Sequence, residues 1–169
     1  MKIKSVCIFL TTLFLSYTTN GLAGDDIHAS YDMLLKKYVA EDGVRYEQFH
    51  ATKSDVKALN KYVKSLENLN PRNMQKAEAL AYWINLYNAT TLKLILDNYP
   101  LESIKDIGGL LSSPWNKKLV KVNGRELTLN QIENEIIRPE FKDARIHFAL
   151  NCAAVGCPPL TNSAYVGSQ

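Results

Sequence analysis

The sequence is poor in the residues that mark several large functional classes. It holds three cysteines and three histidines in 169 residues, and their spacing matches no standard zinc pattern, so no metal is expected. It lacks a glycine-rich phosphate loop and a dinucleotide fingerprint, and no cofactor is expected. Charge of one sign is missing too: Lys and Arg number 20 against 17 Asp and Glu. Such a balance leaves no electrostatic footprint for nucleic acid and no basic helix for an anionic membrane. Internal repeats, low-complexity tracts and linker-like runs are absent, so nothing suggests a second domain.

The one long apolar run lies at the very start. Lys2 and Lys4 precede Val6–Leu15, which only Thr11 and Thr12 interrupt, and Gly21-Leu22-Ala23 then supplies small residues. This is the order of a cleavable signal peptide, read as residues 1–23 with cleavage near Ala23; a retained N-terminal anchor is the alternative. The run is too short to span a bilayer, so no integral membrane segment is expected after processing, and the location implied is periplasmic or secreted. Cys7 leaves with the signal. Removing Lys2 and Lys4 leaves 18 basic and 17 acidic residues, a net charge of about +1. Residues 24–169 are read as one domain, long enough to bury an ordinary core.

Within that domain, apolar spacing predicts a helix from Asp26 to about Ala40, a turn at Glu41-Asp42-Gly43 and a short extended piece over Val44–Phe49. Ser54 is expected to cap a second amphipathic helix that stops before Pro71. A longer, largely buried helix is expected from Asn73 to Tyr99-Pro100, and a loop pinned by Trp115 follows it. Asn123-Gly124 predicts a tight β-hairpin over 119–127. Thr128 to Gln131 has the capping-box form and opens a short helix that Pro139 ends. Alternation over Arg145–Leu150 predicts a half-buried strand. The stretch from Pro158 to Gln169 closes no predicted element, and the fold is expected to be incomplete at its C-terminus.

Three features could carry chemistry. His147 precedes Cys152 and Cys157 closely. A thiol becomes a nucleophile when a histidine or other positive group lowers its pKa and a third group orients the imidazole. Two near cysteines in an oxidising compartment equally form a disulfide, and both readings stay open. On the long helix, Asn85, Asn88 and Thr91 share one stripe; burying amides without partners is costly, so they either bind neighbouring backbone or line a cleft. Glu133 and Glu135 lie in the first turns of the short helix, where carboxylates suit the helix dipole.

The blocks Tyr82-Trp-Ile-Asn-Leu-Tyr-Asn-Ala89, Leu127-Thr-Leu-Asn-Gln-Ile-Glu133 and Arg145-Ile-His-Phe-Ala-Leu-Asn-Cys152 resemble, in order, the signature blocks of the uncharacterised family catalogued as domain of unknown function 547. The resemblance runs from roughly Gly43 to Leu160. It implies emphasis on the positions of Asn85, Asn88, Glu133, His147 and Cys152. Members of that family typically continue well past the cysteine block, whereas this sequence stops at Gln169.

The expected architecture is α+β, with several helices packed on a small, mainly antiparallel sheet that includes the hairpin and the 145–150 strand. The leading functional expectation is a thiol-dependent hydrolase or acyl transferase acting on an extracytoplasmic substrate. Cys152 would be its nucleophile, His147 the base and Glu133 the orienting acid, with Asn85, Asn88 and Asn151 as substrate-binding residues. The competing expectation is a non-catalytic binding or structural module, meeting an extracytoplasmic ligand or protein partner, in which a Cys152–Cys157 disulfide and the asparagines act as internal ties.

Overall fold

A computed structural model describes residues 26–109, 112–154 and 156–168; the segment read as a signal peptide lies outside these described residues. After a 3₁₀ turn, helix α1 (Ala29–Tyr38) buries Tyr31, Leu34, Leu35 and Tyr38, the i, i+3, i+4, i+7 stripe of an amphipathic helix. Strands β1 (Val39–Ala40) and β2 (Gly43–Val44) then pair as a two-rung antiparallel ribbon. The extended piece expected over Val44–Phe49 is not formed beyond Val44. Helix α2 (Tyr46–Ala51) replaces it and buries Phe49, which stacks on Tyr38 with ring centroids 4.0 Å apart. Packing of that one aromatic pair overrides a weak alternation.

Helix α3 (Lys53–Glu67) buries Leu59, Tyr62, Val63 and Leu66. Its N-cap is Thr52, not Ser54: the Ser54 hydroxyl donates to Asp55, and that of Thr52 reaches back to the Gln48 carbonyl of α2. The two helices therefore follow each other without a loop, and the Thr52 carbonyl accepts the first amides of α3. Tyr31 of α1 stacks on Tyr62 of α3, with planes 8° from parallel.

Helix α4 (Lys76–Asp97) is the axis of the molecule, since every residue from Ala81 to Leu92 is buried. It starts later than Asn73 because Pro71–Asn73 form a separate 3₁₀ turn, capped by the Asn70 side chain. A helix apolar on most of its circumference has to be covered on all sides. α2, α3, the helical stretch over 129–137 and the C-terminal segment supply that cover.

The hairpin is as expected. β3 (Lys118–Val122) pairs with β4 (Arg125–Thr128), with Val122 opposite Arg125 and Val120 opposite Leu127. Asn123 and Gly124 hold φ of 50° and 80°, the doubly left-handed pair of a type I′ turn. Two tethers fix it to the helices: the Lys121 amide donates to Glu67 and the Asn123 amide to Asn70. The architecture is α+β, with two separate two-stranded antiparallel sheets rather than one.

Two expectations near the C-terminus are corrected. Pro139 does not end its helix: α5 (Leu129–Gln131) runs through a π-helical turn (Ile132–Ile137) into α6 (Arg138–Phe141), which stops at Lys142 in the left-handed region. Proline has no N–H, and its ring strikes the carbonyl four residues back in a regular α-helix; a widened preceding turn relieves both problems. The strand expected over 145–150 is instead the short helix α7 (Ile146–Ala149). Asp143 decides this locally, because its carboxylate accepts from the Arg145 amide and its carbonyl accepts from the Ile146 amide, which nucleates a turn.

Among the described residues from Pro158 to Ser168 there is no helix or strand, yet the segment is docked. Leu160 and Ala164 are buried, Asp32 of α1 accepts from the Ala164 amide, and a Cβ on Gly167 would lie 3.0 Å from the Glu78 backbone nitrogen. Among the described residues, no helix is long and apolar enough to cross a membrane.

Candidate functional site

Asn85 and Asn88 stand one turn apart on α4 and are almost fully buried, at 1% and 2% exposed. A primary amide presents one donor and one acceptor side by side, as a peptide group does, so it can close a rung against an extended segment. Asn85 donates to the Tyr165 carbonyl (2.7 Å) and accepts from the Tyr165 amide (3.0 Å). Asn88 donates to the Ala149 carbonyl and accepts from the Asn151 amide, both at 2.9 Å. Asn151 continues the chain of ties by donating to the Pro158 carbonyl. Thr91, the third residue of the stripe, bonds the Tyr87 carbonyl of its own helix. Both edges of both buried amides thus hold loop backbone.

Asn85 holds Tyr165 of the C-terminal segment, while Asn88 and Asn151 hold the two ends of the segment that carries the cysteines. Cys152 and Cys157 are joined in it by a disulfide, with Cα atoms 6.0 Å apart. The bridge closes a small loop in which Ala153 and Gly156 take positive φ. The segment is a wall with a cleft on either side. Cys152 and Ala154 line one, of about 340 Å³, while Asn151 and Ala153 face another, of about 380 Å³, with Tyr46 and Tyr99.

The first cleft collects the polar side chains. Cys152 shares its lining with Glu133 of the π turn, Tyr87 of α4, Trp115, Ser113 and the two asparagines 116 and 130. Trp115 is half-buried, and its indole N–H donates to the Cys152 carbonyl at 3.2 Å. The expected pin is therefore real, and it joins the 113–116 loop to the disulfide. Glu133 is clamped: the Arg138 guanidinium donates to Oε1 through Nε (3.1 Å) and Nη2 (2.6 Å), and the Tyr87 hydroxyl donates to Oε2 (3.4 Å). Burial raises the Tyr87 phenol well above its ordinary pKa, and the Glu133 carboxylate adds to the effect, so Tyr87 remains a donor.

The π turn builds that clamp. In a regular α-helix, residues five apart point about 140° away from each other. In the widened turn the Arg138 amide bonds the Glu133 carbonyl five residues back, and the two side chains come to one face. Arg138 was not singled out in the sequence because i, i+5 is not a helical pairing; its place just before Pro139 was the available signal. Tyr87 lay inside a family block without a role.

His147 takes another position. It sits on α7, exposed, with its ring near that of Phe148 (5.5 Å between centroids), and is not among the residues lining the cleft with Cys152 and Glu133. Glu135 is exposed and pairs with Arg125 of the hairpin. Among the described residues no group of three or more His, Cys, Asp or Glu is placed to hold a metal ion.

These features define an α+β domain whose buried asparagines and single disulfide set the shape of a polar cleft. The chain belongs to the family described as protein of unknown function, DUF547, whose model matches residues 71–169. That range contains α4, the hairpin, the π turn and the disulfide loop. No curated protein and no solved structure matches the chain.

Proposed function

We propose that this is a non-catalytic binding module of the extracytoplasmic space, which presents a preformed cleft between Trp115, Glu133 and the Cys152–Cys157 loop. The observation that carries this reading is the engagement of Asn88 by the backbone of residues 149 and 151 and of Asn85 by that of residue 165. Groups that would have to polarise or position a substrate are committed to holding backbone in place. The disulfide serves the same end, as closing a loop of this size stabilises the fold by about 2 kcal/mol, and an N-terminal signal peptide would deliver the chain to a compartment where such a bond persists. The test compares Cys152→Ser with Cys157→Ser in thermal unfolding. Equal losses of Tm are expected, and a Cys157 variant as stable as the parent would contradict the reading.

A second reading is favoured by one observation, that Cys152 and Glu133 line the same cleft. In it the reduced protein is a thiol-dependent hydrolase or acyl transferase with Cys152 as nucleophile, and His147 and Glu133 as base and orienting acid. It requires His147 to move into the cleft. A Cys152-specific adduct with an amide- or ester-directed electrophile, formed only after reduction and lost in His147→Ala, would support it over the first.

A further inference from the structure

The cleft has an unusual balance of chemistry for a ligand to meet. Its one carboxylate, Glu133, is already neutralised by the forked contact with Arg138, so neither a cation nor an anion gains a free counter-charge there. The Tyr87 hydroxyl is committed to Glu133 as well, and what remains is an aromatic wall from Trp115 and neutral polar groups: the Ser113 hydroxyl and the amides of Asn116 and Asn130. The Ser113 hydroxyl does not cap the turn that follows it, and Asn116 is exposed beside Trp115. Trp115 is held in place by its bond to the Cys152 carbonyl, so it is a fixed platform. A ligand that fits is uncharged, carries hydroxyls around its edge and has an apolar face to lay on an indole.

We propose that the cleft binds a neutral saccharide unit, with its apolar face against Trp115 and its hydroxyls hydrogen-bonded to Ser113, Asn116 and Asn130. The volume of about 340 Å³ suits one or two sugar rings. This inference rests on the binding-module reading and names its ligand class. Glu133, fixed by Arg138, offers acceptor capacity without inviting an amine.

The test is saturation-transfer NMR and tryptophan fluorescence on the disulfide-bonded protein. The probes are cellobiose, maltose and N,N′-diacetylchitobiose, set against de-acetylated chitobiose (cationic) and digalacturonate (anionic). At least one neutral sugar is expected to bind, to bind at least about tenfold more weakly after Trp115→Ala, and to exceed both charged sugars by a similar factor. Trp115→Phe keeps an aromatic face but loses the bond to the Cys152 carbonyl, and is expected to bind more tightly than Trp115→Ala and more weakly than the parent, which separates loss of the platform from loss of fold. Failure of all three neutral sugars, binding unaffected by Trp115→Ala, or equal binding of the charged sugars would overturn the proposal. A set of small aromatic and amide fragments run in parallel distinguishes the two levels. Trp115-dependent fragment binding without sugar binding sinks the saccharide class and leaves the binding module standing, whereas no binding of either kind sinks both.

Discussion

Asn88 shows how one side chain can decide the form of a loop. Replacing it by Ala would leave the Ala149 carbonyl and the Asn151 amide without partners in a half-buried setting, at a cost of about 2–4 kcal/mol for the two groups. Chemical denaturation should show that loss, and Asn88→Asp, which sets an unpaired carboxylate against the Ala149 carbonyl at a buried position, should cost at least as much. A loss below about 0.5 kcal/mol for the Ala variant would mean the network does not hold the wall. Much of this was legible in the sequence. A buried asparagine stripe signals partners, but not which ones, because Ala149, Asn151 and Tyr165 lie 61 to 80 residues away along the chain. His147 misled for a related reason: closeness in sequence to Cys152 suggested closeness in space, and the Asp143 turn wound the intervening chain into α7 instead.

At the scale of elements, the π turn and the C-terminal segment lay furthest from what periodicity can express. The hydrophobic pattern of α1, α3 and α4 and the Asn-Gly hairpin were readable because each repeats a local rule. The π turn depends on a single inserted step ahead of Pro139. Pro139→Ala removes the reason for widening, so the turn is expected to relax toward α-helix and to rotate Arg138 away from Glu133; a crystal structure or backbone NOE pattern that retains the π register would refute this. The C-terminal segment has no repeating pattern, as it is fastened by single contacts. Asp32 is one of them, and its pair with Lys36, together with the Ala164 amide, holds its carboxyl below the usual range. A carboxyl depressed in the folded state stabilises above its ordinary pKa of about 4 and loses that contribution as pH falls through the folded value. The protection factor of the Ala164 amide, measured against its intrinsic exchange rate, should fall below pH 4 before α4 loosens, and protection unchanged down to pH 2 would contradict the tether. Gly167→Ala should loosen the same segment by pushing a methyl group against Glu78.

For the whole molecule, the core is unusually rich in buried phenols. Burial raises Tyr46 to about 12 and pushes the Tyr31, Tyr62 and Tyr82 phenols up as well. A phenol whose pKa is raised by folding contributes stability that is complete below about pH 10 and is lost as pH rises through the folded value. Absorbance at 295 nm should therefore show most tyrosines ionising late and together with unfolding above pH 11, whereas stepwise ionisation from pH 10 with the fold intact would contradict the packing.

The central claim, a cleft shaped by a structural disulfide, is tested most directly by alkylating the purified protein from pH 5 to 9 with and without reductant and reading Cys152 and Cys157 by mass spectrometry. The account predicts that neither Cys152 nor Cys157 reacts until reductant is present and that both then react. Labelling of Cys152 alone, without reductant and well below the pH of about 8.5 at which a free thiol half-ionises, would contradict it and turn the cleft from a binding surface into the seat of a nucleophile.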